Sequence, residues 1–108
     1  MKIKEILKEH MSDLCSDLFD EAYTMRVTLE RVAALKELLA LLPRRTKKYR
    51  EVKSELSDEM HNLHRSMQKY DEIRDEFIRI KDAEAEADIA VPASSTDYLV
   101  GIIDVNFK

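Results

Sequence analysis

The sequence predicts an all-α fold: an antiparallel two-helix coiled-coil hairpin that dimerises into a four-helix bundle, with a short β-prone C-terminal tail. Three observations favour this fold. Apolar residues recur at steps of three and four along two long segments, which is the spacing of one helix face. Pro43 interrupts the pattern between the two segments. Only one glycine and two prolines occur in 108 residues, too few for the turns of a sheet or of a domain with many elements.

The first helix is predicted over about residues 2–42. Its main apolar stripe consists of Ile3, Leu7, Met11, Leu14, Leu18, Ala22, Met25, Leu29, Val32 and Leu39. Pro43 has no backbone N–H to donate and disfavours the α conformation at Leu42. We therefore expect this helix to end before Pro43 and a turn to occupy residues 43–46.

The second helix is predicted over about residues 47–89, with Thr46 as its N-cap. Its stripe consists of Tyr49, Val52, Leu56, Met60, Leu63, Met67, Tyr70, Ile73, Phe77 and Ile80. This stripe follows a seven-residue repeat, which indicates a left-handed supercoil. Reversing the chain at about residue 44 sets apolar residues of the two stripes side by side, for example Leu18 beside Tyr70, as a coiled-coil seam requires.

The first helix also carries a second apolar row, on the side opposite the stripe. The row consists of Phe19, Tyr23 and Val27, continued by Ala34, Leu38 and Leu41. A helix that is apolar on two sides has two neighbours, and the second helix supplies only one. We expect a second copy of the chain to cover the row as a twofold homodimer. Cover by the chain's own tail and contact with a different protein are the alternatives.

Beyond the second helix, residues 91–97 read as a linker and residues 98–108 as a β-prone tail. Pro92 and a run of small polar residues break the helical pattern. The tail is rich in β-branched and aromatic residues, which favours a strand. Because an isolated strand needs a partner edge, we expect the tail to pair with its symmetry mate, to lie along the bundle, or to join the sheet of another protein.

The turn is strongly basic, with six cations and one acid over residues 44–53. Lys47 and Lys48 oppose the dipole at the start of the second helix, which suggests a role beyond helix stability. One hypothesis is that this cluster binds an anion or an acidic partner. The simpler hypothesis is that the charges only keep the turn solvated. The predicted contact residues are Arg44, Arg45, Lys47, Lys48 and Arg50.

Carboxylates on both helices raise the question of a metal site. Asp17 and Glu21 flank the first stripe, and Glu55 and Glu59 flank the second. In the predicted register the two pairs lie two to three turns apart, so one hairpin cannot join them. We expect no metal, no cofactor and no catalytic residue.

Composition favours a cytoplasmic protein. The single cysteine, Cys15, cannot form an internal disulfide, and we expect it to be buried at the edge of the first stripe. No stretch of about 18 apolar residues is present, and a net charge of −4 does not favour nucleic acid or an anionic membrane surface.

Together these features predict a non-enzymatic protein–protein interaction module of the adaptor, chaperone or inhibitor type. Its predicted partner-binding residues lie in the row on helix 1 and in the tail: Phe19, Tyr23, Val27, Tyr98, Val100, Ile102, Val105 and Phe107. The partners would be a second copy and another protein. The alternatives are a small metal-dependent bundle enzyme, such as a nucleotide pyrophosphohydrolase with carboxylates from different subunits, and binding of a phosphate backbone by the basic turn.

Overall fold

A computed structural model of the chain describes residues 2–83 and 91–106. Three helices occur in these residues: α1 (Lys2–Leu41), α2 (Lys47–Ala83) and α3 (Ser95–Asn106). The two long helices pack against each other, which confirms the predicted all-α hairpin, and the described part contains no strand. The molecule is a rod of 66 × 25 × 15 Å.

The turn between α1 and α2 is closed by Thr46, as the sequence predicted. The backbone N–H of Tyr49 donates to Thr46 Oγ1 at 3.2 Å, which satisfies one of the free N–H groups at the start of α2. The Thr46 hydroxyl in turn donates to the Pro43 carbonyl at 2.8 Å. One side chain therefore joins the end of the turn to the first turn of α2.

Two contacts between charged or polar side chains of α1 and α2 fix the register of the hairpin. His10 Nε2 lies 3.0 Å from Glu76 Oε1, and Lys69 Nζ lies 3.7 Å from Glu21 Oε2. The first pair is centred on residue 43 and the second on residue 45. The chain therefore reverses at about residue 44, as predicted.

The core follows the two predicted stripes except at Ile3 and Met60, which are 73% and 40% exposed. Met25 and Phe77 are fully buried, and Val52 is 1% exposed. Leu18 and Tyr70 belong to one buried cluster, as the predicted register requires. Burying one such side chain contributes about 1.5–3 kcal/mol, so the seam between α1 and α2 is the main source of stability in the rod.

The prediction of a β-prone tail is wrong for the part of the tail that the structure describes, because Ser95–Asn106 form a helix. Ser94 acts as its N-cap: the Asp97 N–H donates to Ser94 Oγ at 3.2 Å. Tyr98, Leu99 and Ile102 share one side of α3 and pack on the hairpin. A helix satisfies its own backbone groups while burying this side, whereas a lone strand would leave them without partners.

The corrected boundary also shortens the predicted linker. Residues 95–97 belong to the first turn of α3, so the described link between the long helices and α3 is residues 91–94. The predicted continuation of the second helix through residues 84–89 lies outside the described residues, as does Phe107.

The prediction for Cys15 is also wrong, since its side chain is exposed. It lies next to the buried Leu14 but on the outer edge of the stripe, where neither α2 nor α3 covers it. Edge positions of a helix stripe remain open when a single neighbour packs against its centre.

Candidate interaction surface

The second row of α1 is open to solvent, and we call it the outer face of α1. Its members are Phe19, Tyr23, Val27, Ala34, Leu38 and Leu41. Phe19 is 76% exposed, Tyr23 58%, Leu38 40% and Leu41 82%. Ala34 is exposed as well, and Val27 is half-buried. Large apolar side chains that share one exposed side of a helix are typical of a contact site.

The helix α3 lies beside the outer face rather than on it. Tyr98 of α3 lines a groove of 160 Å³ together with Phe19, Ala22, Tyr23 and Arg26. The guanidinium of Arg26 lies 5.7 Å from the centre of the Tyr23 ring, within cation–π range. Because Phe19 and Tyr23 stay largely exposed next to α3, the described part of the tail does not cover the row.

Some of the predicted contact residues of the tail pack on the hairpin, and another faces solvent. Tyr98 stacks on Tyr70 with ring centres 6.1 Å apart, and Ile102 is half-buried against the hairpin. Val100 points outward and is 51% exposed. Only the backbone of Val105 is described.

Sequence reasoning missed the residues that hold α3 in place, which we call the α3 clasp. Asp71 on α2 accepts two hydrogen bonds from Ser95, at 2.9 Å from the backbone N–H and at 2.7 Å from the hydroxyl. Arg74 Nε donates to the Pro92 carbonyl at 2.7 Å. The carboxylate of Asp71 lies at the N-terminus of α3, where the helix dipole favours a negative charge.

Tyr70 completes the clasp by donating its hydroxyl to the Ala93 carbonyl at 2.9 Å. Burial raises the pKa of Tyr70 above its usual value of 10.0, while the positive charge of Arg74 acts in the opposite direction. The neutral phenol is therefore favoured, which is the form that can donate this hydrogen bond. The only signal of α3 in the sequence was the capping pattern from Ser94 to Asp97 followed by helical spacing of its apolar residues.

The basic turn presents its cations to solvent. All five predicted contact residues are exposed: Arg44, Arg45, Lys47, Lys48 and Arg50. Lys47 Nζ lies 4.0 Å from Glu51 Oε1 within α2. The first turn of α2 contains no acidic residue that would offset the two lysines against the helix dipole. The turn is thus a patch of positive charge at one end of the rod.

The carboxylates considered as metal ligands are not brought together. Glu21 lies beside Lys69, whereas Glu55 and Glu59 line a different groove of 370 Å³ with Arg31. Within the described ranges no group of three or more histidine, cysteine or acidic side chains is placed to hold a metal ion. This arrangement agrees with the separation expected from the predicted register.

No helix in the described part of the chain is both long and apolar enough to cross a bilayer. Comparison of the chain with protein-family models, with curated proteins and with solved structures finds no match. The interpretation of the molecule therefore depends on its surfaces.

Proposed function

We propose that this chain is a non-enzymatic interaction module of the cytoplasm, which self-associates as a homodimer through the outer face of α1. The observation that carries the proposal is the exposure of Phe19 and Leu41, at 76% and 82%, on a helix whose other apolar side is already buried. A second chain is the natural cover for such a face because the described helices of the first chain leave it open.

The energetics are compatible with a stable dimer. Phe19, Tyr23, Leu38 and Leu41 would each be buried twice, once in each copy. Full burial of one such side chain contributes about 1.5–3 kcal/mol, and these are partly covered already, so the eight side chains contribute on the order of 10 kcal/mol. Association costs roughly 4–15 kcal/mol, which places the dimer in the range of measurable affinity.

The other surfaces have secondary parts in this proposal. Contact through the tail involves Val100, on the outward side of α3, and the edge of Tyr98 that lines the groove beside Phe19, because Ile102 and the rest of the Tyr98 ring pack on the hairpin. The basic turn is an auxiliary electrostatic contact. A different protein on the outer face of α1 remains a possible result of the test rather than part of the proposal.

Sedimentation velocity of the chain over a range of concentrations tests the proposal. We expect a dimer for the natural sequence and a folded monomer for Phe19→Glu, since a buried unpaired carboxylate opposes association. Ile6→Glu is the matched control, because Ile6 is also an exposed apolar residue of α1, at 61%, but lies outside the row. Circular dichroism would check that each variant keeps its helices.

A monomeric natural chain at all concentrations would refute the proposal, as would a dimer that Phe19→Glu leaves unchanged. Equal loss of the dimer in Ile6→Glu would also refute it, since the contact would then not be specific to the outer face.

A further inference from the structure

We infer that the two copies pair through α1 in an antiparallel arrangement, in which the basic turn of each copy lies against an acidic stretch of the other. This inference rests on the proposed dimer and specifies its geometry. Three separate features of the molecule point to it: the spacing of the outer face, the charge at its two ends, and the groove beside Tyr98.

The first feature is the spacing of the outer face. Its six residues follow one another at steps of 4, 4, 7, 4 and 3, which read almost the same from either end. The midpoint lies between residues 30 and 31. An antiparallel twofold pair about this midpoint sets Tyr23 against Leu38 of the second copy and Val27 against Ala34. The contact extends for about 33 Å, or roughly three heptads of a coiled coil.

The second feature is the charge at the two ends of α1. Residues 11–25 contain four acids and neither lysine nor arginine. Three of these acids, Asp13, Asp17 and Asp20, are exposed. The antiparallel register sets Asp17 near Arg44 of the second copy, directly after the end of α1, so that opposite charges meet at both ends of the contact.

A parallel pair would have the opposite effect on these charges. It would set the two basic turns beside each other and the two acidic stretches beside each other. Like charges at close range oppose association and unlike charges favour it. The charge distribution therefore selects the antiparallel arrangement over the parallel one.

The third feature is the groove of 160 Å³ that Tyr98 forms with Phe19 and Tyr23. In the antiparallel register this groove lies opposite the end of α1 in the second copy, where Leu41 is 82% exposed. An apolar side chain placed in a groove lined by aromatic rings is a typical anchor of a protein contact. The groove gives α3 a part in the dimer, since Tyr98 forms one wall.

Disulfide crosslinking of single-cysteine chains tests the arrangement. In a Cys15→Ser background, Glu30→Cys places a thiol at the midpoint, where it meets its own copy in either arrangement. Ser16→Cys places a thiol at one end, where it meets itself only in a parallel pair; in an antiparallel pair the two thiols are about 40 Å apart. A mixture of Ser16→Cys and Arg45→Cys chains should crosslink to each other only in the antiparallel pair.

The expected result is a crosslinked homodimer for Glu30→Cys, none for Ser16→Cys, and a mixed dimer of Ser16→Cys with Arg45→Cys, identified by its mass. Homodimers of Ser16→Cys would overturn the antiparallel inference while leaving the proposed dimer standing. No crosslink in any variant, together with monomers in sedimentation, would refute the proposed function itself. The two failures are therefore distinguishable.

A charge-reversal series tests the contact of the turn independently. Arg44→Glu and Asp17→Lys should each raise the dissociation constant of the dimer about tenfold, since each change affects two contacts per dimer. The double variant should return to within about threefold of the natural chain, because the pair is restored with reversed signs. Arg65→Glu, an exposed change of the same charge on α2, should have little effect. A double variant no tighter than either single variant would overturn the pairing.

Discussion

The α3 clasp allows a quantitative prediction for Asp71→Ala. The carboxylate accepts hydrogen bonds of 2.9 and 2.7 Å from Ser95, which is only 1% exposed. Hydrogen bonds to a charged group contribute about 1.5–3 kcal/mol each, and a buried donor left without a partner costs about 1–3 kcal/mol. Water can enter beside the half-buried Asp71 and recover part of this loss. We expect α3 to detach more easily by about 2–4 kcal/mol, or about 30- to 700-fold in its opening equilibrium.

Amide hydrogen exchange measured by NMR resolves this loss, because it reports opening helix by helix. In Asp71→Ala the amides of α3 should exchange faster by that factor, while the buried amides near Met25 in α1 should change little. Asp75→Ala is the matched control, since Asp75 is an exposed residue of the same type one turn further along α2. Exchange in α3 that changes less than threefold, or equally in both variants, would show that the clasp does not hold the helix.

Two further predictions concern stability. The pKa of Tyr70 is raised in the folded state, so the neutral phenol stabilises the fold fully below about pH 10, and this stabilisation is lost as the pH rises through the folded-state pKa. We therefore expect the melting temperature of Tyr70→Phe to fall less at alkaline pH than that of the natural chain. An equal fall in the variant and in the natural chain would contradict this prediction. Phe77→Ala removes a fully buried ring and should lower the free energy of unfolding in urea by about 3–5 kcal/mol. Ile6→Ala, at an exposed position, should change it by less than about 0.5 kcal/mol, and similar losses in the two variants would contradict the assignment of the core.

The hairpin was predictable from the sequence because its determinants are local or periodic. Pro43 and Thr46 fix where one helix ends and the next begins, and both act through the backbone within a few residues. The stripes then permit one register that buries both, so the sequence alone was enough to pair Leu18 with Tyr70. A seven-residue repeat sustained along a helix leaves little freedom in choosing the face that packs.

The helix α3 was not predictable in the same way because two of its determinants act against each other. Val100 and its β-branched neighbours favour a strand when judged one by one. The cap at Ser94 and the burial of Leu99 favour a helix, and burial depends on a surface that only the folded hairpin provides. The contribution of Asp71 could not be read from the sequence, since it comes from a residue 24 positions away. Tertiary contacts overrode the local preference.

The outer face of α1 was identified in the sequence because its spacing is as regular as that of the buried stripe. The sequence also predicted that α2 would cover the stripe and leave this row open, because the stripe is the row that matches the second helix over its whole length. The exposure of Phe19 and Leu41 confirms this prediction for the described residues. The crosslinking experiment tests whether a second copy of the chain covers this face.

The basic turn lowers the stability of α2, and a bound partner would offset this loss. Lys47 and Lys48 lie against the dipole of α2 at a cost of a few tenths of a kcal/mol each, and no acid in the first turn of α2 offsets it. Binding of a phosphate backbone and contact with the acidic stretch of a second copy would both offset this cost, and both would weaken with salt. Salt dependence therefore cannot separate them. The double variant separates the two. If Asp17→Lys restores the dimer in a chain that carries Arg44→Glu, the contact of Arg44 is with Asp17 of a second copy, because Asp17→Lys would not restore binding to a phosphate ligand.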